Sequence, residues 1–440
     1  MLFRHQPFGS VSQCSGTDLD ERPSSEVLDR AAMLGRMRVL FTSLVSPGHL
    51  RPMVPLAWAL RADGHDVAVA SAPNMTRWAH SVGLWAVPFG EIVDPIASMR
   101  KRMPKDAKAY VDQFRGRPSP ERHRATGRRL GALAGRNVDE LLAFARSWRP
   151  DVVVYEPMEL TGRVVAAVLG VPSVQHRWGV EHLDAYNEGA AEGLAETCSR
   201  FGLDDVSPSL IIDPCPASLQ LPDVRPGWPM RYVPFNGAAD VPAWVLEPAT
   251  RSRVCVTFGN DSLQLGSAGT LTATLAALGD FDVDVLATVP AQYQSMFPSL
   301  PSNVELIDSV PIGMFLPSCD LVVHHGGSGS SFSALDAGCP QLVMAQPDGF
   351  DYGDAIERVG AGHLLEFAEE QRDPAVIASR IGKILGQATY RDAAAALAEE
   401  SRTRPSPASV AARLASFVAG EVTPSGAVVA QPALSGAEVS

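Results

Sequence analysis

Two adjacent histidines, His324 and His325, close an apolar run and open a glycine-rich turn, Gly326-Gly327-Ser328-Gly329-Ser330-Ser331. The run before them, Leu321-Val322-Val323, is built for a buried strand, and Phe332 to Ala337 carry a helical apolar spacing. Strand, glycine loop and helix start together make an anion cradle. Glycines admit close backbone approach, and the unpaired N–H groups of a first helical turn face the charge. The histidines add side-chain donors. The loop does not spell the spaced three-glycine dinucleotide fingerprint, so a different diphosphate ligand is expected.

A second histidine, His49, follows Ser46-Pro47-Gly48 at the end of another strand-like run and precedes Pro52, which a first helical turn tolerates. This places it at a helix N-terminus and at the carboxyl end of the first strand, where open α/β sheets bind ligands. The positive helix end disfavours imidazolium, which predicts a neutral, proton-accepting ring; a histidine that merely caps or packs would show the same spacing. Glu156 sits just past Val152 to Tyr155 and before Pro157. A carboxylate there could hold the protonated tautomer of His49 and stabilise the ring after proton transfer, or be a solvated turn glutamate. Asp282-Val283-Asp284 has the D-x-D form that holds a divalent metal in other transferases, but it lies at a strand entry. No metal is expected: neutralisation of a diphosphate would fall to the helix N-terminus and His324.

The elements that must position these groups alternate. Arg38 to Ser43 reads as a buried strand, Pro47 to Arg61 as a helix, Asp66 to Ala70 as a strand and Met75 to Val82 as helical. A helix over Leu130 to Trp148, a strand over Val152 to Tyr155, a helix over Leu160 to Leu169 and a short strand near Ser173 and Val174 continue the rhythm. Such alternation indicates a parallel sheet wound on both faces. A proline- and glycine-rich stretch, 208–242, interrupts it. Strands then follow at Arg253 to Phe258, Val283 to Val289, Val304 to Leu306, Leu321 to His324 and Gln341 to Met344, with a last amphipathic helix over Ala408 to Val418. The reading is α/β: an N-terminal Rossmann-like domain over 37–225, a linker over 226–245, a second Rossmann-like domain over 246–404, and a helix over 405–420 that packs back across the first domain. Residues 1–36 are expected to be a loose extension and 421–440 a disordered tail.

At 440 residues there is chain enough for two full cores. A net charge of −12 argues against general nucleic-acid binding. No apolar run approaches the roughly 20 residues that span a bilayer. The six cysteines form no C-x-x-C and show no metal spacing, so they read as reduced core thiols in a cytoplasmic protein. The stretch from Arg100 to Arg129 is rich in arginine; it reads as a solvated helical region, with a partner-docking or acidic-membrane surface as the sharper alternative.

These motifs are recognisable together. RVLFTSLVSPGHLRPMVPLAWALRADGHDV, PDVVVYEPMELTGRVVAAVLGVPSV, RPGWPMRYVPFNGAADVPAW and DSVPIGMFLPSCDLVVHHGGSGSSFSALDAGCPQLVMAQPDGFD resemble the inverting GT-B glycosyltransferases of family 1, specifically the actinobacterial enzymes that attach activated deoxysugars to polyketide antibiotics. The resemblance implies two Rossmann-like domains around a deep cleft and a nucleotide-sugar donor, TDP-linked, with no cofactor. It makes His49 the general base and Glu156 its orienting carboxylate, and puts His324, Gly326, Gly327, Ser328 and Gly329 on the donor diphosphate. Asn260 falls on the phosphate-side loop, Val310 presents backbone to the nucleobase, and Asp348, Phe350 and Asp351 lie where relatives read the donor sugar. Ser309 stands where many relatives have tryptophan, and PDGFD replaces the usual Asp-Gln pair. Partners implied are an aglycone and, as relatives often require, a cytochrome-P450-like auxiliary protein lacking the haem cysteine, with the basic stretch its candidate contact; a homodimer stays open. A nucleotide-sugar isomerase or epimerase, and a non-catalytic nucleotide-sugar-binding companion subunit, are the competing readings.

Overall fold

The computed structural model describes residues 35–102, 116–181, 184–308, 310–347 and 349–427. The extension expected over 1–36 lies almost wholly outside them, as do Ser309, Asp348 and Arg115 of the readings above. From Met37 onward the chain forms one compact unit.

That unit holds two parallel sheets. The first contains β1 (Arg38–Thr42), β2 (Asp66–Ser71), β3 (Trp85–Pro88), β4 (Val152–Tyr155), β5 (Ser173–His176), β6 (Leu210–Asp213) and β7 (Trp228–Pro229), in the order β3-β2-β1-β4-β5-β6-β7. The second contains β8 (Ser252–Thr257), β9 (Val283–Thr288), β10 (Val304–Ile307), β11 (Leu321–His324), β12 (Gln341–Met344) and β13 (Gly362–Leu365), in the order β10-β9-β8-β11-β12-β13. Strands such as VVVY and LVVH are buried along their whole length, because helices cover both faces of each sheet and leave no solvated side for alternation.

The helix expected over Pro47 to Arg61 is broken. A four-residue turn, Pro47–Leu50, passes through a 3₁₀ turn, Arg51–Met53, into the helix Val54–Ala62. Pro52 and Pro55 supply no N–H to a continuous ladder, which accounts for the break. His49 therefore sits on a short, separate turn. The last helix, Pro407–Val418, packs on Val54–Ala62 of the first lobe, burying Val410, Ala411 and Leu414. The chain stays docked beyond it: the Trp228 indole donates to the Pro424 carbonyl at 2.7 Å, inside the segment expected to be disordered.

Candidate active site

In each sheet the strand order reverses once, between β1 and β4 and between β8 and β11. Crevices open at the carboxyl ends of strands at such switch points. Both candidate motifs lie there.

At the first, β4 ends on Tyr155 and delivers Glu156 into a fully buried position. Its carboxylate accepts from the backbone N–H of Leu44 at 3.1 Å and of Met158 at 2.7 Å. The His49 Nδ1 lies 3.0 Å from Glu156 Oε1. A carboxylate that accepts from its other neighbours fixes the tautomer: Nδ1 carries the proton and donates, and the lone pair is on Nε2. The His49 side chain is 23% exposed, so it reaches the crevice. The ring also meets Trp178 edge-to-face, with centroids 4.5 Å apart. Beside this dyad a cavity of about 550 Å³ has an apolar wall of Leu44, Phe89, Leu130, Leu133, Met158 and Leu160 and a polar end of Arg136, Asn137 and Glu140.

At the second switch point the two histidines part company. His324, expected on the diphosphate, is fully buried. Its Nε2 pairs with Gln341 Oε1 at 2.8 Å and its Nδ1 accepts from the Gly326 N–H at 3.1 Å. Both ring nitrogens are spent on shaping the loop, and burial pulls the ring down to about 3. Neither ring nitrogen is left for a ligand. His325 lies at the glycine loops instead. Its imidazole is bracketed by the glycines of the two switch-point loops: a Cβ on Gly259 would lie 3.2 Å from its Cε1 and one on Gly327 2.4 Å from its Nε2. Its Nδ1 is buried, and burial, opposed by a hydrogen bond with the Thr257 backbone, lowers the ring to about 4, leaving it neutral near pH 7.

Gly326 adopts φ +86°, and a Cβ there would meet Gly349 Cα at 2.6 Å, so the loop requires glycine. Gly327 caps the helix Ser328–Asp336, whose N–H groups point at the crevice. Gly329 is exposed there with open space around it. The Ser328 hydroxyl donates to the Trp178 carbonyl of the other lobe at 2.9 Å. Asn260 opens the helix Gly259–Gln264 after β8. Val310 packs with the cluster around Phe315 and Leu316. Asp351 lies in the first turn of the helix Phe350–Arg358. Phe350, by contrast, is core: it is 1% exposed and lies under the Arg117 guanidinium at 4.8 Å, which removes it from the sugar-reading surface expected of it. Asp282 and Asp284 both accept from Arg251, so an arginine already engages the D-x-D pair.

The Erythromycin biosynthesis protein CIII-like, N-terminal domain family matches residues 58–259, and its C-terminal domain counterpart matches 272–417. The chain belongs to this glycosyltransferase family. TDP-daunosamine transferase DnrS of Streptomyces peucetius is 34% identical, the match covering 89% of this chain and 99% of that one. The 3-alpha-mycarosylerythronolide B desosaminyl transferase of Saccharopolyspora erythraea is 33% identical, over 88% and 100%. Spinosyn rhamnosyltransferase SpnG complexed with thymidine diphosphate superimposes with a TM-score of 0.76 at 33% identity, covering 86% of this chain and all of that one. The fold is GT-B.

Three features of this glycosyltransferase have no counterpart in its sequence spacing. Trp178 beside His49 is one, and the assignment of the ligand-facing histidine is another. The third is the arginine-rich stretch, of whose described residues Arg100, Arg117, Arg124 and Arg128 are engaged within the chain. Arg117 holds Asp354 at 2.6 and 3.0 Å and Glu366 at 3.2 Å across the cleft. Arg100 donates to the Gln264 carbonyl, and Arg124 and Arg128 pair with Glu192. Among the described residues no group of three or more His, Cys, Asp or Glu could hold a metal, and no helix is long and apolar enough to cross a membrane.

Proposed function

We propose that this glycosyltransferase moves a deoxysugar from a TDP-linked donor to a hydroxyl of a polyketide-type aglycone, in one inverting displacement without a metal. The observation that carries the reading is the His49–Glu156 pair, 3.0 Å apart at the first switch point and opposite the glycine cradle at the second. The activities of the relatives, daunosaminyl and desosaminyl transfer, support the donor class, and the largely apolar cavity beside the dyad supports the acceptor.

In this mechanism the acceptor oxygen attacks the anomeric carbon as His49 Nε2 takes its proton. Glu156 then faces an imidazolium and stabilises it. The bond from the anomeric carbon to the diphosphate oxygen breaks on the opposite side, inverting the centre. The leaving diphosphate is met by the N–H groups at Gly327–Gly329 and by the neutral His325, whose Nε2 lies against Gly327 of the same loop. Preorganised donors of this kind act where charge develops, and each is worth on the order of 10²–10³ in rate. Arg251 already occupies Asp282 and Asp284, which supports a metal-independent departure. A P450-like auxiliary protein and a reducing, cytoplasmic setting belong to the same reading; buried free thiols such as Cys215, Cys255 and Cys339 suit the latter.

The test begins with a screen of TDP-deoxysugars against polyketide aglycones with mass detection. With the productive pair, His49→Ala is expected to lower turnover about 10²- to 10⁴-fold and leave TDP affinity unchanged by calorimetry. Normal turnover of that variant would refute the base assignment. Full activity without the auxiliary protein, and no gain on adding it, would remove that partner.

A further inference from the structure

We propose that Trp178 is a positioning residue through which the donor loop of one lobe sets the orientation of His49 in the other; the proposal rests on the reading of His49 as the base. The Nδ1 bond to Glu156 fixes where the imidazole points but not its tilt about that axis. The edge of the Trp178 indole, 4.5 Å from the imidazole centroid at an interplanar angle of 70°, supplies the second constraint. The indole Nε1 is buried without an acceptor, so packing and not a hydrogen bond is what this ring offers its neighbour.

Trp178 is held from both lobes. Behind it, Arg177 is buried between Asp213, at 2.8 Å, and Glu181. In front, the Ser328 hydroxyl at the start of the donor-loop helix donates to the Trp178 carbonyl at 2.9 Å. The next residue, Gly179, lies so close to the second lobe that a Cβ would fall 2.4 Å from Phe332 Cε2 and 3.0 Å from Tyr352 Cε1. The strip Arg177–Gly179 is thus fixed by its own lobe on one side and by the donor-loop helix on the other. A base aligned through such a strip reaches its working geometry when the donor loop is in place. Misplacement of a catalytic group by about 1 Å can cost on the order of 10²-fold in rate.

The experiment is a set of kinetic cycles with the TDP-deoxysugar and aglycone paired by the screen, using Trp178→Leu, Trp178→Phe, Ser328→Ala and His49→Ala. Trp178→Leu is expected to lower kcat by about tenfold or more while the TDP Kd stays within about twofold, and Trp178→Phe, which keeps an aromatic edge, to restore most of the loss. On the His49→Ala background the leucine substitution should cost nothing further, because its effect runs through the ring already removed. Ser328→Ala should lower kcat in the wild type and not on that background. An undiminished loss on the His49→Ala background, or a loss fully explained by weaker TDP binding, overturns the proposal. Should Trp178→Leu fail to fold, the Ser328→Ala and His49→Ala cycle decides alone. Full turnover of His49→Ala by itself would overturn the base reading and this proposal with it, whereas loss there with additive effects of Trp178→Leu overturns only the latter.

Discussion

His324 and His325 adjoin in sequence and are both held neutral by burial, but they differ in what their ring nitrogens touch. One is a buried spacer between Gln341 and the Gly326 N–H; the other lies between Gly259 and Gly327 of the two loops. Their substitutions should therefore separate. His325→Ala is expected to weaken TDP binding and turnover with little loss of stability. His324→Ala should cost about 1–3 kcal/mol, because it strands the Gln341 side chain and the loop N–H. Calorimetry with TDP and urea unfolding of both variants check this, and the reverse pattern would restore His324 to the ligand. The sequence reading put His324 on the diphosphate, and its burial with both ring nitrogens engaged speaks against that. The signal was present in the register: β11 pairs Val322 with Gln341, and alternation puts His324 on the same sheet face, beside the one polar side chain of QLVM. Glu156 stood out because it follows an apolar strand directly and His49 because Ser46-Pro47-Gly48 marks a turn before it, whereas Trp178 stands two residues past the end of β5 and nothing local marks what it touches.

At the level of elements, buried strands were the most legible parts, since runs such as LVVH and QLVM have bounds set by composition. The edge strands β3 and β13 escaped notice: one is largely exposed and the other opens on glycine. The long helix Pro120–Trp148 begins ten residues before its apolar periodicity does. Its early turns carry Gly127, Gly131 and Gly135, which read as breakers, yet they form one face. Against that face lies the helix Asp184–Phe201, with Gly189 and Gly193 opposite. A Cβ on Gly131 would meet the Ala190 carbonyl at 2.6 Å, and one on Gly193 the Arg128 carbonyl at 2.2 Å. The helices approach backbone to backbone, and glycine is what permits it. Gly131→Ala, which would gain about 1 kcal/mol by helix propensity, is expected to destabilise by about 1–3 kcal/mol through overpacking. A raised unfolding midpoint would contradict that close approach.

Across the whole molecule, the lobes are tied by pairs that spacing cannot reveal: Arg117 and Asp354 are 237 residues apart, and Ser328 and Trp178 are 150. Burying the strand ends at this seam has a consequence for pH. His176 and His324, each closing a strand, are 0% exposed, and burial pulls them down to about 4 and about 3. In the unfolded chain both would titrate near 6.5. Between those values the unfolded state binds more protons, so their stabilising contribution is complete above about pH 6.5 and is lost as pH falls toward 4 and 3. Each contributes a slope of up to about 1.4 kcal/mol per pH unit. Carboxylates join below about pH 5, which leaves pH 6.5 to 5 as the window in which buried histidines dominate. Urea midpoints are expected to fall steadily across it. His176→Gln, whose amide can replace the 2.7 Å contact of Nδ1 with the Arg177 carbonyl, should flatten that slope. Midpoints that hold constant from pH 7 to 5, or a slope indifferent to the substitution, would mean that these rings take up protons as readily in the fold as outside it.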